Sequence, residues 1–248
     1  MITLFEKEGH KNIMFSDLTS GYMIQANQHI IIHDGEAMIL DPGGHKVYSK
    51  LFAGLSDVAS AKNLKYIFFS HQDPDIIASA NAWLIISKAE AYLSELWMRF
   101  IPHFGADEFV INRINSIPDS GTIINLCGVE LKIIPAHFLH SAGNFQVYDP
   151  VSKILYSGDL GASLGVDYDI VENFEDHIKY MEAFHRRYLP CNKAVKLWVD
   201  MIRQLDIDMI VPQHGAVFNT PEKVKSFIDW IEWLPCGIDL MKDEYKIP

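Results

Sequence analysis

Apolar residues recur along the chain with two different periods. From Gly21 to Gly44, "GYMIQANQHIIIHDGEAMILDPGG" has two apolar runs flanking "HDGE", and Asp34-Gly35 predicts a β-hairpin turn between them. "LKYIFFS" (64–70), "EAYLS" (90–94), "GVELKIIPA" (128–136), "FQVYD" (145–149), "KILYSGD" (153–159) and "DMIVPQHG" (208–215) predict further strands, most of them closed by Gly, Pro, Asp or Ser. Helical spacing governs other stretches. "LFAGLSDVA" (51–59) is one, and "DIIASANAWLIIS" (75–87), with Ile76, Ala80, Trp83 and Leu84 near one face, is another. "SELWMRFIPHFG" (94–105) runs from a capping Ser94 to a terminating Gly105. Ala194, Leu197, Trp198, Met201, Ile202 and Leu205 share a helical face, and a last helix starts at cap Thr220 and Pro221 with Phe227, Trp230, Ile231 and Leu234 on its apolar side. No linker, repeat or low-complexity segment divides the pattern. It predicts one α/β domain over residues 1–248, with two β-rich halves that each carry helices.

Where the predicted strands end, the chain becomes polar in a particular way. "FFSHQDPDIIAS" (68–79) places His71, Asp73 and Asp75 within five residues, in a strand-to-helix loop. "IIPAHFLHSAG" brings His137 and His140, "ILYSGDLG" brings Asp159 and "MIVPQHGAV" brings His214, each beside Gly or Pro after an apolar run. Imidazoles and carboxylates at the ends of separate strands suit one or two metal ions. The turn Asp41-Pro42-Gly43-Gly44 stops another strand and is suited to close approach to such a site.

Composition narrows the partners. A net charge of −11 without a basic stripe argues against nucleic acid, whose binding rests on clustered Lys and Arg. The start "MITLFEKEGHK" lacks a secretory signal and no apolar run reaches a bilayer span, so a cytoplasmic location is expected. Cys127, Cys191 and Cys236 are scattered and read as small buried hydrophobes in a reducing compartment. His10, His29, His33, His45, His103, His177 and His185 show no paired spacing and are expected to be solvated or structural, with "HRRYLP" (185–190) a solvated helix end.

In order and spacing these residues resemble the metallo-β-lactamase superfamily, and within it the flavodiiron proteins. The superfamily carries H-x-H-x-D-H, then a His, an Asp and a last His at strand ends; the flavodiiron branch carries H-x-E-x-D-H. Here the run is His71-Gln72-Asp73-Pro74-Asp75-Ile76, followed by His140, "SGD" (157–159) and "PQHG" (212–215). The resemblance spans nearly the whole chain and implies an αββα four-layer sandwich, two facing mixed β-sheets with helices on the outer faces. It implies that His71, Asp73 and His140 bind one metal, that Asp75 and His214 bind the other, and that Asp159 bridges them. Two departures stand out. Asp73 replaces a Glu, and a carboxylate in that position favours iron over zinc. Ile76 replaces a ligating His, leaving either an open position beside an apolar side chain, suited to dioxygen, or a disabled position with Ile76 starting a buried helix face. His137, three residues before His140, is expected to hydrogen-bond behind a ligand or to pack in the core.

Flavodiiron proteins carry a flavodoxin-like module after the metal domain, and a module of about 150 residues has no room here. The chain therefore most resembles the flavin-free oxygen-binding diiron proteins of bacterial chemotaxis. That resemblance implies two non-haem iron ions, no flavin in this chain, and dioxygen held as a ferric-peroxo-type adduct. The implied role is an oxygen sensor, with iron as a second signal, and the implied partners are dioxygen, a chemotaxis receptor or kinase complex, and a second copy of the chain in a homodimer. Two other classes remain open: an O2 or NO reductase fed by a separate flavoprotein or rubredoxin-like donor, and a metal-dependent hydrolase using metal-bound hydroxide.

Overall fold

A computed structural model describes residues 1–247, and its strands form two mixed sheets. The first sheet holds seven strands in chain order: β1 (Ile2–Lys7), β2 (His10–Phe15), β3 (Gln28–His33), β4 (Glu36–Leu40), β5 (Leu64–Phe68), β6 (Glu90–Ser94) and β7 (Ile114–Ile117). β1 to β4 run antiparallel, and β4 to β7 run parallel. The second sheet holds β8 (Thr122–Leu126), β9 (Val129–Pro135), β10 (Phe145–Asp149), β11 (Ile154–Gly158) and β12 (Met209–Pro212), antiparallel except for the β11–β12 pair.

Parallel neighbours need crossovers, and helices supply most of them. α1 (His45–Val58) joins β4 to β5, α2 (Pro74–Ile77) and α3 (Ala80–Ile86) join β5 to β6, and α4 (Glu108–Ile111) precedes β7. α5 (Phe174–Tyr188) and α6 (Asn192–Ile202) lie between β11 and β12, and α7 (Pro221–Glu232) follows β12.

The layers follow from the pleat. In β3, Ile30 and Ile32 join the apolar cluster that includes Leu51, Leu55 and Trp83 of the helices, whereas Ile31 joins the cluster that includes Leu131, Val147 and Val211 of the second sheet. β4 splits likewise, with Ala37 and Ile39 outward and Met38 and Leu40 between the sheets. A third cluster packs α5, α6 and α7 against the second sheet through Met181, Trp198 and Phe227. The result is the expected helix, sheet, sheet, helix stack.

Three details depart from the sequence reading. The helix expected over 75–87 is split into α2 and α3, because the Ser79 N–H donates to Gly43 C=O (3.2 Å) and the Ser79 hydroxyl donates to the same oxygen (2.6 Å), diverting the ladder. Residues Glu95–Phe104 form 3-10 turns with Pro102 inside, still capped by Ser94 and ended by Gly105 at φ +78°. "HRRY" is the last turn of α5, and His185 is wholly buried, not solvated.

The strand ends that matter converge. Backbone bonds tie the two sheets there: Phe145 N–H donates to Ser70 C=O (3.0 Å) and Asn27 N–H to Gln213 C=O (2.6 Å).

Candidate metal centre

Each candidate side chain is delivered by the end of a strand or by the turn after it. β5 ends at Phe68 and its continuation carries His71; Asp73 is the N-cap position of α2, and Asp75 lies in the first turn of that helix. The β9–β10 loop carries His140, β11 leads into Asp159 through Gly158, and β12 leads into His214. Gly158 (φ +58°) and Gly215 (φ +79°) occupy the left-handed region, and a Cβ on Gly215 would overlap Ser163. Those glycines turn the backbone so that the residues beside them face one point.

Six side chains, Asp159 among them, come together. His71 Nε2 lies 3.6 Å from Asp73 Oδ2 and 3.9 Å from Asp159 Oδ1, and His140 lies 3.4 Å from Asp73 Oδ2 through Nε2 and 3.7 Å from Asp159 Oδ2 through Nδ1. His214 Nε2 is 3.5 Å from the same Asp159 Oδ1 and 3.6 Å from Asp75 Oδ2. Every one of these gaps exceeds the roughly 3.2 Å reach of a good N–H···O bond. They match the spacing of donors that share an ion: two atoms each about 2.1 Å from a tetrahedral metal lie about 3.4 Å apart. Asp159 Oδ1 is buried and without a hydrogen-bond partner, as a ligand atom would be. His71, Asp73 and His140 bring one ligand atom each within 4.8 Å of one another, a trio that could hold a metal ion, with Asp75, Asp159 and His214 beside it.

Neighbouring groups fix the imidazoles. His214 Nδ1 donates to Gln25 C=O (2.6 Å), which leaves the Nε2 lone pair facing Asp159 and Asp75. His71 Nδ1 shares a hydrogen bond with Ser70 Oγ (2.9 Å), and Ser70 N–H donates to buried Asp41 (2.7 Å). Gln25 also accepts from Gly215 N–H, and Asn27 donates to Pro212 and Gly215 carbonyls, so residues 25–27 clamp the His214 turn.

Charge follows from packing. Burial alone would lower His71, but Asp159 and Asp73 outweigh it and push the imidazole up to about 9. His214 is likewise raised to about 9, Asp159 overcoming burial. Burial would raise Asp159, yet His71 and His214 hold it well below the usual carboxylate range; His140 and His71 do the same for Asp73. Burial lifts Asp41 to about 6 against the Ser70 N–H.

A cavity of about 410 Å³ opens beside these residues, and Asp73, Asp75, His140, Asp159 and His214 all line it. Its remaining wall is largely apolar, with Met23, Ile24, Val47 and Phe184, and the predicted close approach of the Asp41–Gly44 turn is met by Gly44.

Two of the sequence-predicted residues stand elsewhere. Ile76 was expected either beside an open metal position or at the start of a buried helix face; it is wholly buried in the helix-side core with Val47, Ile77 and Trp83, and it is not part of the cavity wall. The phase of α2 explains this. The helix starts after Asp73, whose carbonyl accepts from Ile76 and Ile77, and successive residues turn by about 100°. Asp75 then faces His214 while Ile76 faces the core. His137 is also outside the cluster: its Nε2 bonds to Asp119 C=O (2.8 Å) and its ring stands edge-on to Phe145.

Sequence reasoning missed Gln25, Ser70 and His185. Ser70 adjoins the motif and was legible as a neighbour; Gln25 acts through its carbonyl and across 189 residues, which no spacing reveals.

Known proteins add to this geometry. The description "ODP family beta lactamase" matches residues 24–215. The chain is similar to the chemotaxis sensor ODP, solved as a peroxy diiron species, at 41% identity and a TM-score of 0.90, over 99% of this chain and 100% of that one. It is similar to the apo state of the same-named sensor from T. denticola at 40% identity and a TM-score of 0.89, over 98% of each. Rubredoxin oxygen:oxidoreductase of Desulfovibrio gigas shares the fold at 13% identity and a TM-score of 0.78, over 93% of this chain and 61% of that one. Among curated sequences, type A flavoprotein fprA of Rhodobacter capsulatus is 24% identical over 68% of this chain and 39% of its own. Uncharacterized protein MJ0732 of Methanocaldococcus jannaschii is 25% identical over 81% of this chain and 51% of its own. The chain spans about half the length of these curated relatives or less. With that description covering most of its length and a full-length likeness above 40%, the chain belongs to the ODP family of beta-lactamase-fold proteins.

Proposed function

We propose that this chain is a non-haem two-iron protein that binds dioxygen and acts as an oxygen sensor in bacterial chemotaxis. The observation that carries this reading is the likeness, along the full length of both chains, to a chemotaxis sensor whose structure is that of a peroxy diiron species. In this reading residues 1–248 act as one domain, His71, Asp73 and His140 hold one iron, Asp75 and His214 hold the other, and Asp159 serves both. Iron in that position supplies affinity for dioxygen and the electrons that retain it.

The chain's own residues set the conditions. Three carboxylates among six donors suit iron better than an all-imidazole set would, because anionic oxygen stabilises the ferric state. His214 is held in the tautomer that frees Nε2 by the Gln25 carbonyl. The apolar wall favours an uncharged gas over a hydrated anion, which would lose hydrogen bonds on entering.

A sensor must also pass its state outward, through contacts that differ between the two states. Two ligand-bearing segments lean on one helix. The His140 ring contacts Phe184 and Tyr188 of α5 (centroids 6.1 and 5.7 Å), and His185 Nε2 of the same helix accepts from Gly161 N–H (2.9 Å), two residues after Asp159. α5 is thus the element through which a change at the centre would reach a receptor or kinase partner.

Anaerobic reconstitution with ferrous iron, metal counting, and absorption spectra before and after a pulse of O2 test the reading. The expected outcome is two irons per chain and a visible band that forms with O2 and decays slowly. No iron uptake, or zinc in its place with no spectral response, would refute it.

A further inference from the structure

We infer that Gln28 binds the small ligand of the cavity, its side-chain amide hydrogen-bonding an oxygen- or nitrogen-donor molecule taken up beside the metal centre, an inference that rests on the two-iron reading. Gln28 opens β3, and with Gly44 and Asp75 it lines the cavity. The residue is 0% exposed, yet neither Oε1 nor Nε2 has a protein hydrogen-bond partner. The Gly43 turn packs directly on it, since a Cβ at Gly43 would stand 3.5 Å from Gln28 Nε2.

A buried amide without partners is destabilising, whereas an apolar side chain of the same shape in its place would be neutral or better. The residues on the same face of β3, Ile30 and Ile32, are apolar and give the amide nothing to bond to. The cost is understandable if a ligand completes the amide's bonding. Gln213 also has an orphaned amide, but it is not part of the cavity wall and receives no such assignment.

The chemistry of the wall points the same way. Asp73, Asp75 and Asp159 accept but do not donate, and the imidazole Nε2 atoms of His71, His140 and His214 are turned to those carboxylates. Thr19 and Tyr188 reach the wall too, but both retain access to solvent. Gln28 is therefore the neutral donor at the cavity wall, closed off from it in this structure, and a ligand engages its amide once the side chain turns inward. Ile76 leaves the metal site one donor short of the family motif, and the wall has Gln28, not Ile76.

Gln28→Leu and Gln28→Met test this, the second guarding against misfolding of the first. Iron-loaded protein oxidised in air is titrated with azide by absorption, iron is counted, and metal-free samples are melted. The expected result is an unchanged iron count, a metal-free Tm equal to or above the parent's, and azide binding weakened about tenfold, as for loss of one hydrogen bond to a charged acceptor. Azide affinity equal to the parent's would overturn the assignment. So would iron lost from the variants alone, which would make Gln28 a metal ligand, or a lower metal-free Tm in both, which would make its role structural. A parent that takes up no iron would instead overturn the two-iron reading, and this assignment with it.

Discussion

The two ends of the sandwich contain the same residue types in opposite arrangements. At the end of the β5, β11 and β12 strands, imidazoles and carboxylates stand 3.4 to 3.9 Å apart with orphaned atoms between them. At the far end, His10 of β2 meets Asp149 of β10 at 2.7 Å, and both are buried. Asp149 is further met by Asn12 Nδ2 (2.8 Å), Ser152 Oγ (2.7 Å) and Val151 N–H (3.0 Å), while Asn12 also donates to the Tyr156 hydroxyl (2.9 Å). Burial would raise Asp149, but His10 and Asn12 more than compensate and hold its carboxyl below the ordinary value. One end is a dense hydrogen-bond network across the two sheets, with Asn12 Oδ1 left over; the other is a set of donors kept just too far apart to satisfy one another. Spacing, not residue type, separates a structural pair from a ligand set.

The sharpest way to break that comparison is to remove one member at each end. His10→Leu leaves Asp149 buried with its shortest side-chain hydrogen bond across the sheets gone, a change that costs about 3 kcal/mol. That corresponds to a Tm lower by about 6–12 °C for a chain of this size. Its metal content should be unaffected. Asp159→Ala should do the reverse at the other end, weakening metal uptake by more than the roughly 10–100-fold that follows loss of a group merely supporting a ligand. Calorimetry and metal analysis on both variants decide the matter, and metal loss in His10→Leu would collapse the distinction.

Acidity separates the ends less drastically. In metal-free protein, His71 and His214 are raised from 6.5 to about 9, so the stability they contribute is complete below pH 6.5 and lost as pH rises through 9. Asp73 and Asp159 are depressed, so their contribution is present above the ordinary carboxylate range and disappears only in acid. The metal-free Tm should therefore decline between pH 6.5 and 9, while apparent metal affinity climbs over the same window because imidazolium cannot ligate. A flat melting profile would show that the cluster is not held by charge.

The contrast also explains what could be read from the chain. His71, Asp73, Asp75, His140, Asp159 and His214 were visible because each follows an apolar run and a turn residue, so local pattern already places them at strand ends. The His10–Asp149 pair was not, because 139 residues separate its members and neither sits in a motif. α5 was missed for a related reason: its buried face is Phe174, His177, Met181 and His185, at steps of three and four, and a periodicity search counts the two histidines as polar. Both are buried against aromatic rings, which lowers them to about 4 and keeps them neutral.

Ile76 offers the smallest and most discriminating test. The sequence identifies it as the residue in place of a ligand, but its direction depends on the phase of α2, which starts where the Asp73 carbonyl accepts from Ile76 and Ile77 and which the motif spacing does not fix. As a residue of the helix-side core, Ile76→Val removes one buried methylene and should lower stability by about 1 kcal/mol, with iron count and the O2-induced band unchanged. A wall of the ligand cavity would behave differently, since a shorter side chain there would alter the lifetime of the band while barely moving the Tm. Melting and single-pulse spectra on the same variant thus separate a missing ligand that shapes the cavity from one whose replacement has been absorbed into the core.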